Sequence, residues 1–140
     1  MTNRSELGKL GEDLACIYLI KNGYSIIERN FRMQFGELDV ISRSPDGTLV
    51  FVEVKAMTDV GRQTPFIPAD RITPEDQLTR SKIKKLKKTA SLYSGHRQYL
   101  VRDSVGWRID AITILIPPYS SPHNLTKLLK TCVVNYYENI

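Results

Sequence analysis

The sequence predicts a single α/β domain. Three observations carry this: two segments with helical spacing of apolar side chains, several short apolar or alternating runs bounded by turn residues, and a length of 140 residues that suits one core. With 41% hydrophobic and 25% charged residues the chain is neither disordered nor fibrous. Its longest apolar stretches, such as 49–52 and 114–116, are far too short to cross a bilayer, and residues 1–6 contain no apolar signal core. A cytoplasmic location and no membrane partner are therefore expected. Two cysteines, Cys16 and Cys132, cannot build a disulfide framework or a four-cysteine zinc site.

Residues 5–22 read as a helix stopped by Gly23. Leu7, Leu10, Leu14, Ile17 and Tyr18 form its expected buried face, and Glu6, Lys9 and Asp13 its wet face. Glu12 belongs to neither: helical spacing sets it among Gly8, Ala15, Cys16 and Leu19, where a carboxylate is partly buried or aimed at a shared pocket. Residues 24–32 alternate as a strand. Segments 37–43 and 49–56 are two more, joined by the turn Ser44-Pro45-Asp46-Gly47-Thr48. The stretch 57–73, with Gly61, Pro65 and Pro68, has no period and reads as a long loop. A helix is placed at 74–94, with Thr73 as N-cap, Pro74 at its first position, Glu75 and Asp76 in its first turn, and Gly95 as its stop. Residues 98–102 and 107–116 read as strands, 117–122 as a linker, and 125–137 as a short terminal helix or strand.

The hairpin between the second and third strands concentrates the chemistry. The segment 49–55 is apolar apart from Glu53 and Lys55, as in a central strand covered on both faces. Period two puts those charges on one face and Val50, Val52 and Val54 on the other. If Ser44 pairs with Thr48, Val40 meets Val52 and Leu38 meets Val54 on an apolar side, while Asp39 opposes Glu53 and Glu37 opposes Lys55. Two carboxylates so opposed should destabilise a sheet. A divalent cation would remove the problem, since Mg²⁺ prefers carboxylate oxygens and keeps open positions for water and phosphate. Lys55 could then orient or deprotonate a water, or neutralise a developing phosphate charge. The competing reading is a structural ion-pair cluster in which Lys55 balances Glu37.

Charge is equally localised. Arg80, Lys82, Lys84, Lys85, Lys87 and Lys88 are six cations in one acid-free run; removing them from 20 Lys+Arg leaves 14 against 15 acids, so the whole formal +5 sits there. At helical spacing Ile83, Leu86, Ala90 and Tyr93 form an apolar stripe, with Lys82 at its edge and the other five cations on the opposite arc. Such a face is either simply solvated or a phosphate-binding surface. His96 and His123 lack partners at ligand spacing, Cys16 is read as packing, and Trp107, Tyr136 and Tyr137 as core or dimer contacts that could alternatively stack on bases. Asp110 is read as a structural acid.

The order Glu12, then Gly36-Glu37-Leu38-Asp39, then Phe51-Val52-Glu53-Val54-Lys55 resembles the PD-(D/E)XK nuclease superfamily. The closer resemblance is to the YraN family, small bacterial proteins similar to archaeal Holliday-junction resolvases. It is carried further by Gly8-Lys9-Leu10-Gly11-Glu12 with Ala15, by Gly23-Tyr24 with Arg29-Asn30-Phe31-Arg32, by Lys82, Leu86, Ala90 and Tyr93, and by Arg108-Ile109-Asp110, so it spans roughly residues 6–116. It implies a restriction-endonuclease-like core, α-β-β-β-α-β, with a mixed sheet flanked by helices. It also implies Asp39 and Glu53 as ligands of Mg²⁺ or Mn²⁺, Glu12 as an accessory ligand, Glu37 as a further candidate ligand from its place in the Gly-Glu-x-Asp motif, and Lys55 as the catalytic lysine. The long loop 57–73 and the tail 117–140 depart from the shared pattern. On this basis the chain, 1–140 as one nuclease-like domain, is expected to hydrolyse phosphodiester bonds of DNA, with branched or structured DNA among the candidate substrates and the basic helix holding flanking phosphates. DNA is favoured over RNA, and a homodimer is a possible assembly. The alternatives are a non-catalytic nucleic-acid-binding module of the same fold and a protein-interaction module using the basic helix.

Overall fold

The computed structural model describes residues 4–59, 73–118 and 123–140. Helix α1 (Arg4–Lys21) leads into strands β1 (Ser25–Met33), β2 (Gly36–Arg43) and β3 (Leu49–Thr58). A 3-10 turn, Pro74–Gln77, precedes helix α2 (Arg80–His96); then come β4 (Trp107–Ile116), helix α3 (Leu125–Thr131) and β5 (Val133–Tyr137). The five strands form one mixed sheet in the order β1-β2-β3-β4-β5, with β3 and β4 parallel and the other neighbours antiparallel.

The sheet separates two apolar layers. On one side α1 and α3 bring Leu14, Ala15, Leu19, Leu128 and Leu129 onto Val40, Val50, Val52, Val54, Ile112 and Ile114. On the other, α2 brings Leu86, Ala90 and Tyr93 onto Leu38, Ile41, Leu49, Phe51 and Ile109. β3 is therefore covered on both faces, as its apolar run requires. The tail 117–140 contributes both a helix and a strand. Its β5 is fastened by Asp110, which accepts from Arg108, Tyr136 and the Asn139 backbone. Asp110 is thus a structural acid, Trp107 packs edge-on against Phe51, and Tyr136 stacks on Tyr18.

Several expected boundaries shift for identifiable reasons. The predicted helix 74–94 is broken: Leu78 leaves helical geometry (φ −92°, ψ 67°), and α2 starts on its own cap, where Thr79 accepts from the Lys82 backbone N–H at 3.2 Å. Thr73 and Asp76 do form a capping box, but around the 3-10 turn. Gly95 is inside α2, which runs to His96. The predicted strand at 98–102 is a 3-10 turn, Gln98–Leu100, because the sides of β3 and β4 are already paired. In α1 the deepest side chains are Leu14, Ala15, Cys16 and Leu19, so the buried face is rotated from the expected one; Asp13, expected in water, is half-buried in an ion pair with Arg29 at 2.8 Å. Of the predicted loop 57–73, residues 57 and 58 extend β3, and 60–72 lie outside the described residues, as do 119–122 of the linker.

Gly11 sets the height of α1 over the sheet. A Cβ there would stand 2.6 Å from the Ala56 Cβ, so only glycine lets α1 settle on the end of β3 and present Glu12 beside it. Gly11→Ala is expected to lower stability by about 1–3 kcal/mol through overpacking, read as a lower urea midpoint.

Candidate active site

The turn between β2 and β3 places the site. Asp46 accepts from Ser44, from the Thr48 hydroxyl at 2.7 Å and from the Thr48 N–H at 3.0 Å, contacts that hold its carboxyl well below the ordinary range. The resulting register matches Arg43 with Leu49, Ser42 with Val50, Ile41 with Phe51 and Val40 with Val52, as the hydrophobic pattern predicted.

Beyond Val40 and Val52 the two strands part. Leu38 joins the α2-side layer whereas Val40 belongs to the α1-side layer, so the expected pairing of Leu38 with Val54 does not form. In its place the Asp39 carboxylate accepts the Val54 backbone N–H at 2.9 Å. Asp39 and Glu53 are accordingly not a regular ladder pair. Glu37 does not meet Lys55 either: it is exposed, with Arg32 at 3.9 Å.

The parting opens a cleft of about 350 Å³ lined by Asp39, Glu53, Lys55, Lys82 and Lys85, with Phe35 at its mouth. Glu53 is only 5% exposed, and the same oxygen, Oε1, meets Lys55 Nζ at 3.3 Å and Lys82 Nζ at 3.4 Å. A second groove, about 510 Å³, lies toward α1 and is lined by Glu12, Arg29 and Asn30; Asp39 and Glu37 border both. With its amide turned to donate, Asn30 stands 2.5 and 3.0 Å from the two Glu12 oxygens.

The electrostatics follow from this packing. Burial, reinforced by the Glu53 charge, pushes Asp39 up to about 7, against the pull of the Val54 N–H. Glu12 is raised by burial and by Asp13, Glu37 and Glu53, with Arg29 opposing. Lys55 is held above the ordinary lysine value, despite its burial, by its contacts with Lys82 and Glu53. Lys82 is lowered, by burial and by Lys55 beside it.

Sequence reasoning had put Lys82 among the phosphate-binding cations, and its place at the edge of the apolar stripe was the signal that it turns inward. The other five, Arg80, Lys84, Lys85, Lys87 and Lys88, are exposed. Glu75 was not foreseen beyond a first-turn acid. It accepts from Thr113 at 2.7 Å and Tyr137 at 3.0 Å, tying the 3-10 turn to β4 and β5 next to Lys55, whose partner across the parallel ladder is Thr113. His96 and His123 are exposed, and Cys16 is buried.

Among the described residues no three His, Cys, Asp or Glu side chains gather into a metal-binding group. Asp39 and Glu53 share one cleft, and a pair of carboxylates with open space around it has the donor chemistry that Mg²⁺ takes from proteins. Burial first and then the Glu53 charge make ionisation of Asp39 costly, with Lys55 opposing, and a cation between the two carboxylates would relieve that cost. Among the described residues no helix is long and apolar enough to cross a membrane.

The sequence model of an uncharacterised protein family, UPF0102, matches residues 11–114. Similar proteins include a UPF0102 protein of Corynebacterium efficiens, 37% identical over 117 residues that cover 84% of each chain. One of Persephonella marina is 40% identical over 110 residues, 77% of this chain and 82% of its own. One of Syntrophomonas wolfei is 48% identical over 88 residues, 63% of this chain and 68% of its own. The matched segment contains Glu12, Asp39, Glu53, Lys55 and the whole of α2, and the chain belongs to the UPF0102 family.

Proposed function

We propose that this protein is a Mg²⁺- or Mn²⁺-dependent endonuclease-like phosphodiesterase acting on DNA, built on a restriction-endonuclease-like core. The observation that carries the reading is the meeting of Asp39, Glu53 and Lys55 where β2 parts from β3, in a cleft walled by the basic helix. Asp39 and Glu53 would hold the cation, which supplies Lewis-acid stabilisation of charge on the phosphate. Glu12, across the shared border of the two grooves, is the accessory carboxylate. Lys55 keeps its proton at neutral pH, so its part is to orient the phosphate and neutralise charge rather than to accept a proton. Lys85 and the exposed cations of α2 would bind flanking phosphates, which makes binding fall steeply with salt.

A second reading, a nucleic-acid-binding module without catalysis, is favoured by one observation: Glu53 already has two ammonium partners. Duplex, single-stranded and four-way-junction DNA incubated with the protein and Mn²⁺ separates the two. Cleavage is expected, stopped by chelator and reduced by at least about a hundredfold in Glu53→Gln and Lys55→Met, with binding largely kept. Retardation of DNA with none of the three substrates cut would establish the second reading. Failure to retard any nucleic acid at low salt would defeat both.

A further inference from the structure

The two-residue turn between β1 and β2 ends in an aromatic that the turn does not need. Met33 pairs with Gly36, leaving Gln34 and Phe35 at the tip; neither has a positive φ, so the turn accepts most residues and does not itself call for an aromatic. Phe35 is 68% exposed. Unlike Tyr99, 81% exposed and outside the residues that line the cleft, it stands at the mouth of the space that holds Asp39, Glu53 and Lys55.

Its position is fixed against the basic helix. Gly36 packs so closely on Thr89 that a methyl group there would collide with the Thr89 hydroxyl, which itself donates to the Lys85 carbonyl at 2.9 Å. Lys88 Nζ lies 5.6 Å from the centre of the Phe35 ring. The tip therefore offers a largely exposed aromatic ring with one ammonium group over it, a combination that suits a base on the other face of the ring with its phosphate on Lys88. From Lys82, at Glu53, to Lys88, at Phe35, α2 advances about 9 Å. At a rise of about 3.4 Å per nucleotide, that is about two to three stacked nucleotides.

From these positions we infer that Phe35 is a stacking platform for an unpaired base, so that the substrate is nucleic acid with a single-stranded or frayed segment about two to three nucleotides from the phosphate at Glu53. In a continuous duplex every base is stacked on its neighbours and presents only its edge to the grooves, so the ring has no free face to meet. This rests on the nucleic-acid reading above and narrows it.

The test is binding in the presence of chelator, so that cleavage plays no part. Full-length protein is titrated onto a single-stranded oligonucleotide carrying 2-aminopurine and onto a blunt duplex of the same sequence. The parent is expected to bind the single strand and quench its fluorescence. Phe35→Ala should weaken single-strand binding by about 5- to 150-fold and lose the quenching, with duplex affinity changed by no more than about twofold. Phe35→Tyr should restore both. The exposed ring makes unfolding of these variants unexpected, and unchanged melting points check it. An alanine variant that holds the single strand as tightly as the parent overturns this inference and leaves the proposed function standing, as does one that loses single strand and duplex alike. If the parent retains no nucleic acid at low salt, both fall together.

Discussion

Asp39→Asn is expected to melt about 3–8 °C above the parent at pH 8 and, on the proposed function, to lose DNA cleavage. The gain comes from the cost of ionising Asp39 where it sits, since burial and the neighbouring Glu53 raise its pKa to about 7. In the unfolded chain the same group titrates near the ordinary carboxylate value of about 4. Between those two values the folded protein holds a proton that the unfolded chain has released, so stability falls as pH rises from about 4 to about 7 and is constant above that. The loss is about 1–3 kcal/mol once partial exposure is allowed for. Asparagine keeps an oxygen for the Val54 N–H, so the strand contact survives the change. Melting points of both proteins from pH 4.5 to 8.5 provide the check: the variant's advantage should be absent at low pH and grow through the window. If the cleft takes Mg²⁺ as proposed, the ion should raise the parent's melting point at pH 8 more than the variant's, because it would bind the ionised carboxylate. An advantage that does not change with pH would mean that Asp39 is solvated and the cleft carries no electrostatic load.

What the sequence made legible is what depends on local spacing. Ser44 to Thr48 is a complete turn signal, and with valines alternating on both sides only one register buries them, so the match of Val40 with Val52 could be read in advance. The apolar run of β3 likewise announced a strand covered twice. The parting at Asp39 could not be read, because it depends on which layer claims each side chain: Leu38 is taken by Leu86 and Phe51, Val40 by the α1 side, and no periodicity records that competition. The broken helix had two competing caps, Thr73 and Thr79. Propensity alone does not choose between them, whereas the hydrogen bonds that Thr113 and Tyr137 donate to Glu75 hold the first turn down on β4 and β5. The tail was half legible: 125–137 reads as a short helix or strand and is one followed by the other, because Val133–Tyr137 is short and needs the free side of β4 and the Asp110 contacts to become a strand. At the candidate site, period two set Asp39, Glu53 and Lys55 on the facing sides of one hairpin, and the three line one cleft. The direction of Lys82 was half legible, from its phase on the helix.

The pairing of Glu53 predicts strong non-additivity between Lys55 and Lys82. Both ammonium groups contact the same Oε1, so either one alone still neutralises the buried carboxylate. Lys55→Met and Lys82→Met are each expected to cost about 0.5–1.5 kcal/mol, as modest losses with one cation left in place. The double variant leaves a carboxylate 5% exposed with neither ammonium partner. That is the situation in which breaking a buried pair costs about 3–5 kcal/mol, well above the sum of small single effects. A urea-unfolding cycle of the four proteins measures the coupling, and simple additivity would show that Glu53 is neutralised by something other than these lysines. Divalent cation is the further discriminator. Mn²⁺ should restore the double variant's melting point by more than it raises the parent's, since in the parent Lys55 and Lys82 already supply the charge a metal would bring. The same competition bears on any cation in the cleft: it would share Glu53 with two ammonium groups on Oε1, and release of one of them would strengthen its hold. Lys82 is the better candidate, being more exposed at 37% against 17% for Lys55 and carried on the helix whose remaining cations face the solvent side where a phosphate would arrive.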